Sequence, residues 1–308
     1  MNDMDKKEIL SVQNLCMTIG KKKILKEIDF SSYEAEIIGL LGPNGSGKST
    51  IMKCISTVYI PTKGTIRING HNVMEEHDLA MKGCGISIEG PVYYPHMSGM
   101  DNLKLIGSYK GVKKEKIDEI ADFSGLGDRL KDSVKTYSLG MKQRLSLSMA
   151  IINDPKLILL DEPTNGLDPD AVFSLREELL RLKEKGASIL ISSHSLGEME
   201  KICDRFLFIK NGEIICELGA EQVYDKLHTY RIVVDHITSA ERILAGQIPY
   251  KKMNNMIECS FQNENEFAAM IRQLSNAAQI LSIEHAHIDL ETLYKEIYGD
   301  YDDTANKK

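Results

Sequence analysis

The chain has 308 residues, of which 42% are hydrophobic and 27% charged, and a formal net charge of −7. This length suits about two domains with a sizeable core, while the acidic balance argues against a nucleic-acid surface, which needs clustered Lys and Arg. Met1 to Lys7 lacks the apolar core of a signal peptide, no stretch reaches the roughly 18 apolar residues of a spanning helix, and six scattered cysteines without a C-x-x-C pair read as reduced thiols, so a cytoplasmic protein is expected.

Residues 8–41 are predicted to form strands: Ile9 to Val12, Ile24 to Phe30 and the fully apolar run Ile37 to Leu41. Gly42-Pro43-Asn44-Gly45-Ser46-Gly47-Lys48-Ser49-Thr50 follows at once and matches G-x-x-x-x-G-K-[ST], between a buried strand and a helix that starts with Ile51 and Met52. In that context the loop's backbone N–H groups converge on phosphate, Lys48 reaches the β- and γ-phosphates, and Ser49 ligates Mg²⁺. Further on, Gly64 to Gly70 brackets a strand, Gly85 to Ile88 gives another, and residues 99–152 read as mainly helical.

Leu157 to Leu160 is a buried strand that ends in Asp161 and Glu162, where ligands of parallel sheets collect. Asp161 is expected to hold Mg²⁺ and Glu162 to polarise the attacking water. An amphipathic helix from about Ala171 to Lys185 leads to a second buried strand, Ser188 to Ile191, then Ser192-Ser193-His194. Strand, helix, strand with apolar strands implies a mostly parallel sheet. Arg205 to Ile209, the turn Asn211-Gly212 and Glu213 to Cys216 form a predicted hairpin. After Gly219 the chain alternates strands (Tyr230 to Val234, Met256 to Phe261, Ile280 to Glu284) with helices, a small α+β appendage without recognisable chemistry.

Tyr137-Ser138-Leu139-Gly140-Met141-Lys142-Gln143-Arg144 lies between the loop and the acidic pair. With that segment included, residues 8–218 resemble the nucleotide-binding subunit of an ABC (ATP-binding cassette) transporter. The resemblance implies an α/β fold, a P-loop NTPase (RecA-like) core with an antiparallel β subdomain and a helical signature subdomain. It implies a cassette over residues 1–220, with the helical part at about 90–152, a linker at 221–229, a C-terminal α+β domain at 230–298 and a disordered tail at 299–308. Carried over residue by residue, Gly42 to Thr50 becomes the Walker A loop and Glu162 the catalytic carboxylate after Asp161. Asp168 becomes the D-loop aspartate and His194 the switch histidine. Ser138 and Gly140 would bind the γ-phosphate of ATP held by a second subunit, so a head-to-tail dimer, expected to be a homodimer, completes each site. ATP and Mg²⁺ are the implied cofactors, and integral membrane permease subunits the implied partners, holding the chain at the inner face of the membrane.

Three positions depart from the family's usual pattern. Glu89 replaces Gln at the γ-phosphate sensor, which adds a carboxylate able to ligate Mg²⁺ and resembles the bacitracin and lantibiotic self-protection branch. Ile19 stands where an aromatic residue usually stacks on adenine. The signature reads Ser-Leu-Gly-Met in place of Ser-Gly-Gly-Gln, with Ser138 and Gly140 retained. The expected function is therefore an ATPase subunit that drives separate permeases, with export of a peptide antibiotic as the specific form. A soluble ABC ATPase on ribosomes or DNA fits less well, because the chain has one Walker A loop and no heptad run. A regulatory module that binds ATP without turnover is opposed by the intact Glu162 and His194.

Overall fold

The computed structural model describes residues 6–88, 93–224, 229–261, 264–285 and 289–299. It divides into two compact units, Met1–Leu218 and Gly219–Lys308.

The first unit opens with two long strands, β1 (Glu8–Ile19) and β2 (Lys22–Tyr33), joined by a tight turn. Simple alternation underestimates their length because the pairing shifts register between Val12 and Leu15 and again towards Met17, and each irregularity resets which face is buried. The element β3 (Ile37–Leu41) is buried along its whole length and leads into α1 (Lys48–Ile55). Next come β4 (Lys63–Ile68), β5 (His71–Asn72), α2 (His77–Met81) and β6 (Cys84–Ser87). A helical segment follows, with α3 (Gly99–Tyr109), α4 (Lys114–Phe123) and α5 (Leu139–Ile151). The unit ends with β7 (Leu157–Asp161), α6 (Pro169–Glu184), β8 (Ser188–Ser192), α7 (Leu196–Glu200), β9 (Arg205–Lys210) and β10 (Glu213–Gly219).

These strands make two sheets. The first is antiparallel, in the order β2-β1-β4-β5. The second has the order β10-β9-β3-β8-β7-β6, with β3 and β6 to β9 running parallel. A parallel sheet covered on both faces needs continuous apolar strands, and Leu157 to Leu160 and Ser188 to Ser192 are buried without a break. One core joins the sheets: Leu10, Ile28 and Ile66 from the first pack with Leu40, Leu159 and Leu207 from the second, and Ile51 and Ile55 of α1 lie among them. Because β3, β8 and β7 are neighbours, their C-terminal ends stand side by side, with Leu40 opposite Ser192 and Ser192 opposite Asp161. Everything the sequence marks at those strand ends is thus carried to one edge of one sheet.

The second unit contains α8 (Ala220–Tyr224), β11 (Thr229–Val234), α9 (Ile237–Leu244), β12 (Tyr250–Met253), β13 (Met256–Ser260), α10 (Glu264–Ser275), β14 (Ile280–His285) and α11 (Leu290–Tyr298). From β11 to β14 the order is βαββαβ, in an antiparallel sheet β12-β13-β11-β14, the ferredoxin-like split βαβ arrangement. It has its own core, including Ile232, Val234, Leu244, Ile257 and Leu274. The strand β12 is absent from the sequence reading because Lys251, Lys252 and Met253 are exposed on a sheet edge and carry no apolar alternation. Residues 225–228 of the expected linker and residues 300–308 of the expected tail lie outside the described residues, while residues 221–224 of that linker belong to α8.

One local strain stands out. Thr57, just past α1, has φ 61°, a left-handed conformation that is costly for a β-branched residue. It is held there by its N–H to the Cys54 carbonyl at 3.2 Å and its hydroxyl to the Ser56 carbonyl at 2.7 Å. Thr57→Gly is expected to stabilise the fold by about 1 kcal/mol and raise Tm by about 2–4 °C. A thermal melt checks this, and a lowered Tm would show that the hydroxyl contacts outweigh the strain.

Candidate nucleotide-binding site

The loop between β3 and α1 is shaped by close backbone approaches. A Cβ on Gly42 would lie 2.3 Å from the Ile209 carbonyl oxygen, so the loop backbone rests directly against β9. From the turn after β9, the Gly212 N–H donates to the Ser46 carbonyl at 2.9 Å. Gly47 precedes α1, and no side chain caps the helix start, which leaves its first turn suited to an anion in the role of a cap. The Ser46 Oγ is buried without a hydrogen-bond partner, an unmet polar demand that a bound anion would answer.

Lys48 is buried, and its Nζ donates to the carbonyls of Gly42 at 2.7 Å and Pro43 at 3.2 Å. Burial pulls its pKa below the ordinary lysine value, and the nearby negative charges of Glu162 and Asp161 push it back up. Lys48, Asp161 and Glu162 therefore form one electrostatic group, although 113 and 114 positions separate the lysine from the two acids.

Asp161 ends β7 and its Oδ1 accepts a hydrogen bond from the Ser192 hydroxyl at 2.5 Å. Glu162 leaves the strand with φ 51°. Its N–H faces both the Ser192 carbonyl at 3.1 Å and the Ser192 Oγ at 3.2 Å. Its Oε2 accepts from the His194 backbone N–H at 3.2 Å, whereas its buried Oε1 lies 3.1 Å from His194 Nε2 without hydrogen-bond geometry. The His194 ring is half exposed. One carboxylate oxygen of Glu162 is thus tied, and the other has no hydrogen-bond partner but lies beside the His194 ring.

Ser138 and Asp168 begin helices. The Ser138 Oγ accepts from the Met141 N–H at 3.3 Å at the start of α5, and Asp168 accepts from the Ala171 N–H at 2.8 Å at the start of α6. The two helix starts touch each other: Leu139 packs on Gly166, Gln143 Nε2 donates to the Asn165 carbonyl at 3.3 Å, and Arg144 lies 3.6 Å from Asp168. Gly140 approaches the Gly166 carbonyl closely. Ile19, the last residue of β1, is 47% exposed and forms an apolar spot beside the β1–β2 turn. Glu89 lies outside the described residues.

The sequence names Ser192 only as part of Ser192-Ser193-His194 and Asn211-Gly212 only as a hairpin turn, and gives neither a place at the site. Ser192 reads as the last residue of a buried strand, and the hairpin turn as a turn only. The signal that could have found Ser192 is a hydroxyl pair, Ser192-Ser193, ending an otherwise apolar run.

For a nucleotide the fit is good: glycines allow backbone contact, an orphaned hydroxyl and a buried ammonium face the loop, and hard oxygen donors are at hand in Ser49 and Asp161. Among the described residues no group of three or more His, Cys, Asp or Glu could hold a metal ion alone. One carboxylate with one hydroxyl is the protein share usual where phosphate oxygens complete a Mg²⁺ shell.

Residues 25–165 match the ABC transporter family. The chain is 35% identical over 297 residues to the uncharacterized ABC transporter ATP-binding protein YhcH of Bacillus subtilis, covering 96% of this chain and 97% of that one. It is 42% identical over 209 residues to the lantibiotic transport ATP-binding protein SrtF of Streptococcus pyogenes, covering 68% and 90%. A solved ATP-binding subunit of an ABC transporter superposes with a TM-score of 0.66 at 30% identity, covering 70% of this chain and 92% of that structure.

Lys48→Ala is expected to weaken ATP binding about tenfold to hundredfold, the loss of a charge-assisted hydrogen bond to phosphate. Calorimetric titration with ATP measures it, and unchanged affinity would remove Lys48 from the site.

Proposed function

Because this chain belongs to the ABC transporter ATP-binding family and is an ATPase, we propose that it works as one half of an ATP-driven dimer that powers separate membrane permeases. The observation that carries this reading is the Glu162 carboxylate: Oε2 is tied to the His194 N–H, and Oε1 is buried with its hydrogen-bonding capacity unspent. In this reading the Gly42 to Thr50 loop grips the triphosphate, Lys48 neutralises the β- and γ-phosphates, and Ser49 and Asp161 hold Mg²⁺. The cation supplies charge neutralisation at the phosphates. Glu162 accepts a proton from the attacking water through Oε1, and the exposed face of His194 senses the γ-phosphate. By the family resemblance Glu89 is assigned as a further carboxylate towards Mg²⁺, and Ile19 as an apolar contact for adenine.

In this reading the second copy enters through the start of α5, where Ser138 caps the helix. Ser138, Gly140 and the start of α5 offer N–H groups and a hydroxyl to an anion, and their contacts run to residues 165–168. Offered to the γ-phosphate on a partner chain, they complete its site, and closure on two nucleotides becomes the power stroke. Among the described residues no helix is long and apolar enough to cross a membrane, which suits a subunit bound at the inner membrane face through a permease. The transported class we propose is a peptide antibiotic of the lantibiotic or bacitracin type. The likeness to the lantibiotic transport protein SrtF supports it.

Glu162→Gln is expected to keep ATP affinity, to lower kcat by at least about a hundredfold, and to yield an ATP-dependent dimer in size-exclusion chromatography with light scattering. Parental turnover would take the base role from Glu162. Glu89→Gln is expected to raise the Mg²⁺ concentration needed for half-maximal activity, read from Mg²⁺ activation curves of variant and parent. Superimposable curves would mean that residue 89 does not address the cation.

A further inference from the structure

A single hydroxyl touches the carboxylate of one acid of the site and the backbone N–H of the other. Ser192 is completely buried at the end of β8 and sits opposite Asp161 in the parallel pair. Its Oγ–H donates to Asp161 Oδ1 at 2.5 Å, and the same oxygen faces the Glu162 N–H at 3.2 Å. The Ser192 carbonyl, 3.1 Å from that N–H, adds a second hold on Glu162.

Each contact has a consequence. A hydroxyl has one proton to give, and giving it to one oxygen of Asp161 fixes the plane of the carboxylate and hence the direction of its other oxygen. A charged acceptor makes this one of the stronger hydrogen bonds available. Glu162 has φ 51°, a conformation that costs an L-residue energy and persists only where neighbours impose it. On the backbone side its N–H is held by the Oγ and carbonyl of Ser192, and its carbonyl accepts from the Asn165 N–H at 3.2 Å. Ser193 extends the hold one step along the chain, with its Oγ 3.3 Å from Thr164 Oγ1.

We propose that Ser192 is a positioning residue that aligns the two carboxylates with each other, setting the cation-facing oxygen of Asp161 and the water-facing oxygen of Glu162 through one hydroxyl. This rests on the assignment of Asp161 to Mg²⁺ and Glu162 to water. Ser192 is completely buried beside the acids, so in this reading its effect passes through them.

The test compares Ser192→Thr with Ser192→Val in the full-length chain. The two side chains have the same shape, so any strain from the added methyl is common to both, and only the hydroxyl differs. Mn²⁺ affinity is measured by electron paramagnetic resonance with a non-hydrolysable ATP analogue, alongside kcat, KM for ATP and Tm. Ser192→Val is expected to bind Mn²⁺ about tenfold to hundredfold more weakly than Ser192→Thr and to lose kcat by a similar factor, with KM for ATP nearly equal in the two. Equal Mn²⁺ affinity and equal kcat in the two variants would overturn the proposal, whatever their Tm relative to the parent. Asp161→Asn separates the layers. If it leaves Mn²⁺ affinity at the parental value, the metal assignment itself fails and the proposal with it. If it weakens Mn²⁺ while the Thr and Val variants agree, the assignment stands and the role of Ser192 alone falls.

Discussion

The phosphate loop is held in shape by a hairpin turn some 165 residues further along the chain. Asn211 and Gly212, at φ 52° and 80°, form a two-residue turn of the kind that matches strand twist. A Cβ on Gly212 would lie 2.0 Å from the Ile24 carbonyl, so only glycine lets the turn wedge between β2 and the loop. From there the Gly212 N–H reaches Ser46, its carbonyl receives the Lys26 N–H at 2.8 Å, and Ile209 closes on Gly42. The loop's glycines therefore serve two ends. They free N–H groups for an anion on one side, and on the other they let the loop lean on a rigid backbone support.

The edge that carries Ser192, Asp161 and Glu162 is built by register. Adjacency of β3, β8 and β7 brings the loop, Ser192 and Asp161 into line, and the sharp exit of the chain at Glu162 turns the second acid back towards His194. Burial of Lys48 beside two acids makes the group electrostatically interdependent, since the ammonium loses solvation and regains part of it as Coulomb attraction. In this account a bound triphosphate would add further negative charge beside that ammonium, whose hydrogen bonds go to the Gly42 and Pro43 carbonyls.

Much of this was legible in the sequence because it is local. The loop, the acidic pair, the helix starts at Ser138 and Asp168 and the Asn211-Gly212 turn each declare themselves within about ten residues, through glycine spacing, apolar runs and turn chemistry. What stayed hidden is made by contacts across the fold. Ser192 acquires its partners only when β8 pairs with β7, and the support of Gly42 by Ile209 only when β9 pairs with β3. The edge strand β12 was missed for the opposite reason: its side chains face solvent and leave no pattern. Leu139 is half-legible. As a departure from the usual glycine it is visible in the sequence, but its packing on Gly166, which links the signature segment to residues 165–168, is a property of the folded chain.

The central claim is that each site is shared between two copies, with the loop and acids on one chain and Ser138 and Gly140 on the other. Mixing two inactive chains tests it most directly: Ser138→Arg, with an intact loop but a blocked signature, and Glu162→Gln, with an intact signature but no base. A mixed pair then has one complete site. The account predicts that ATPase activity, near zero for each variant alone, reappears on mixing and rises to a maximum at equal proportions. A mixture no more active than the average of its components would contradict a shared site.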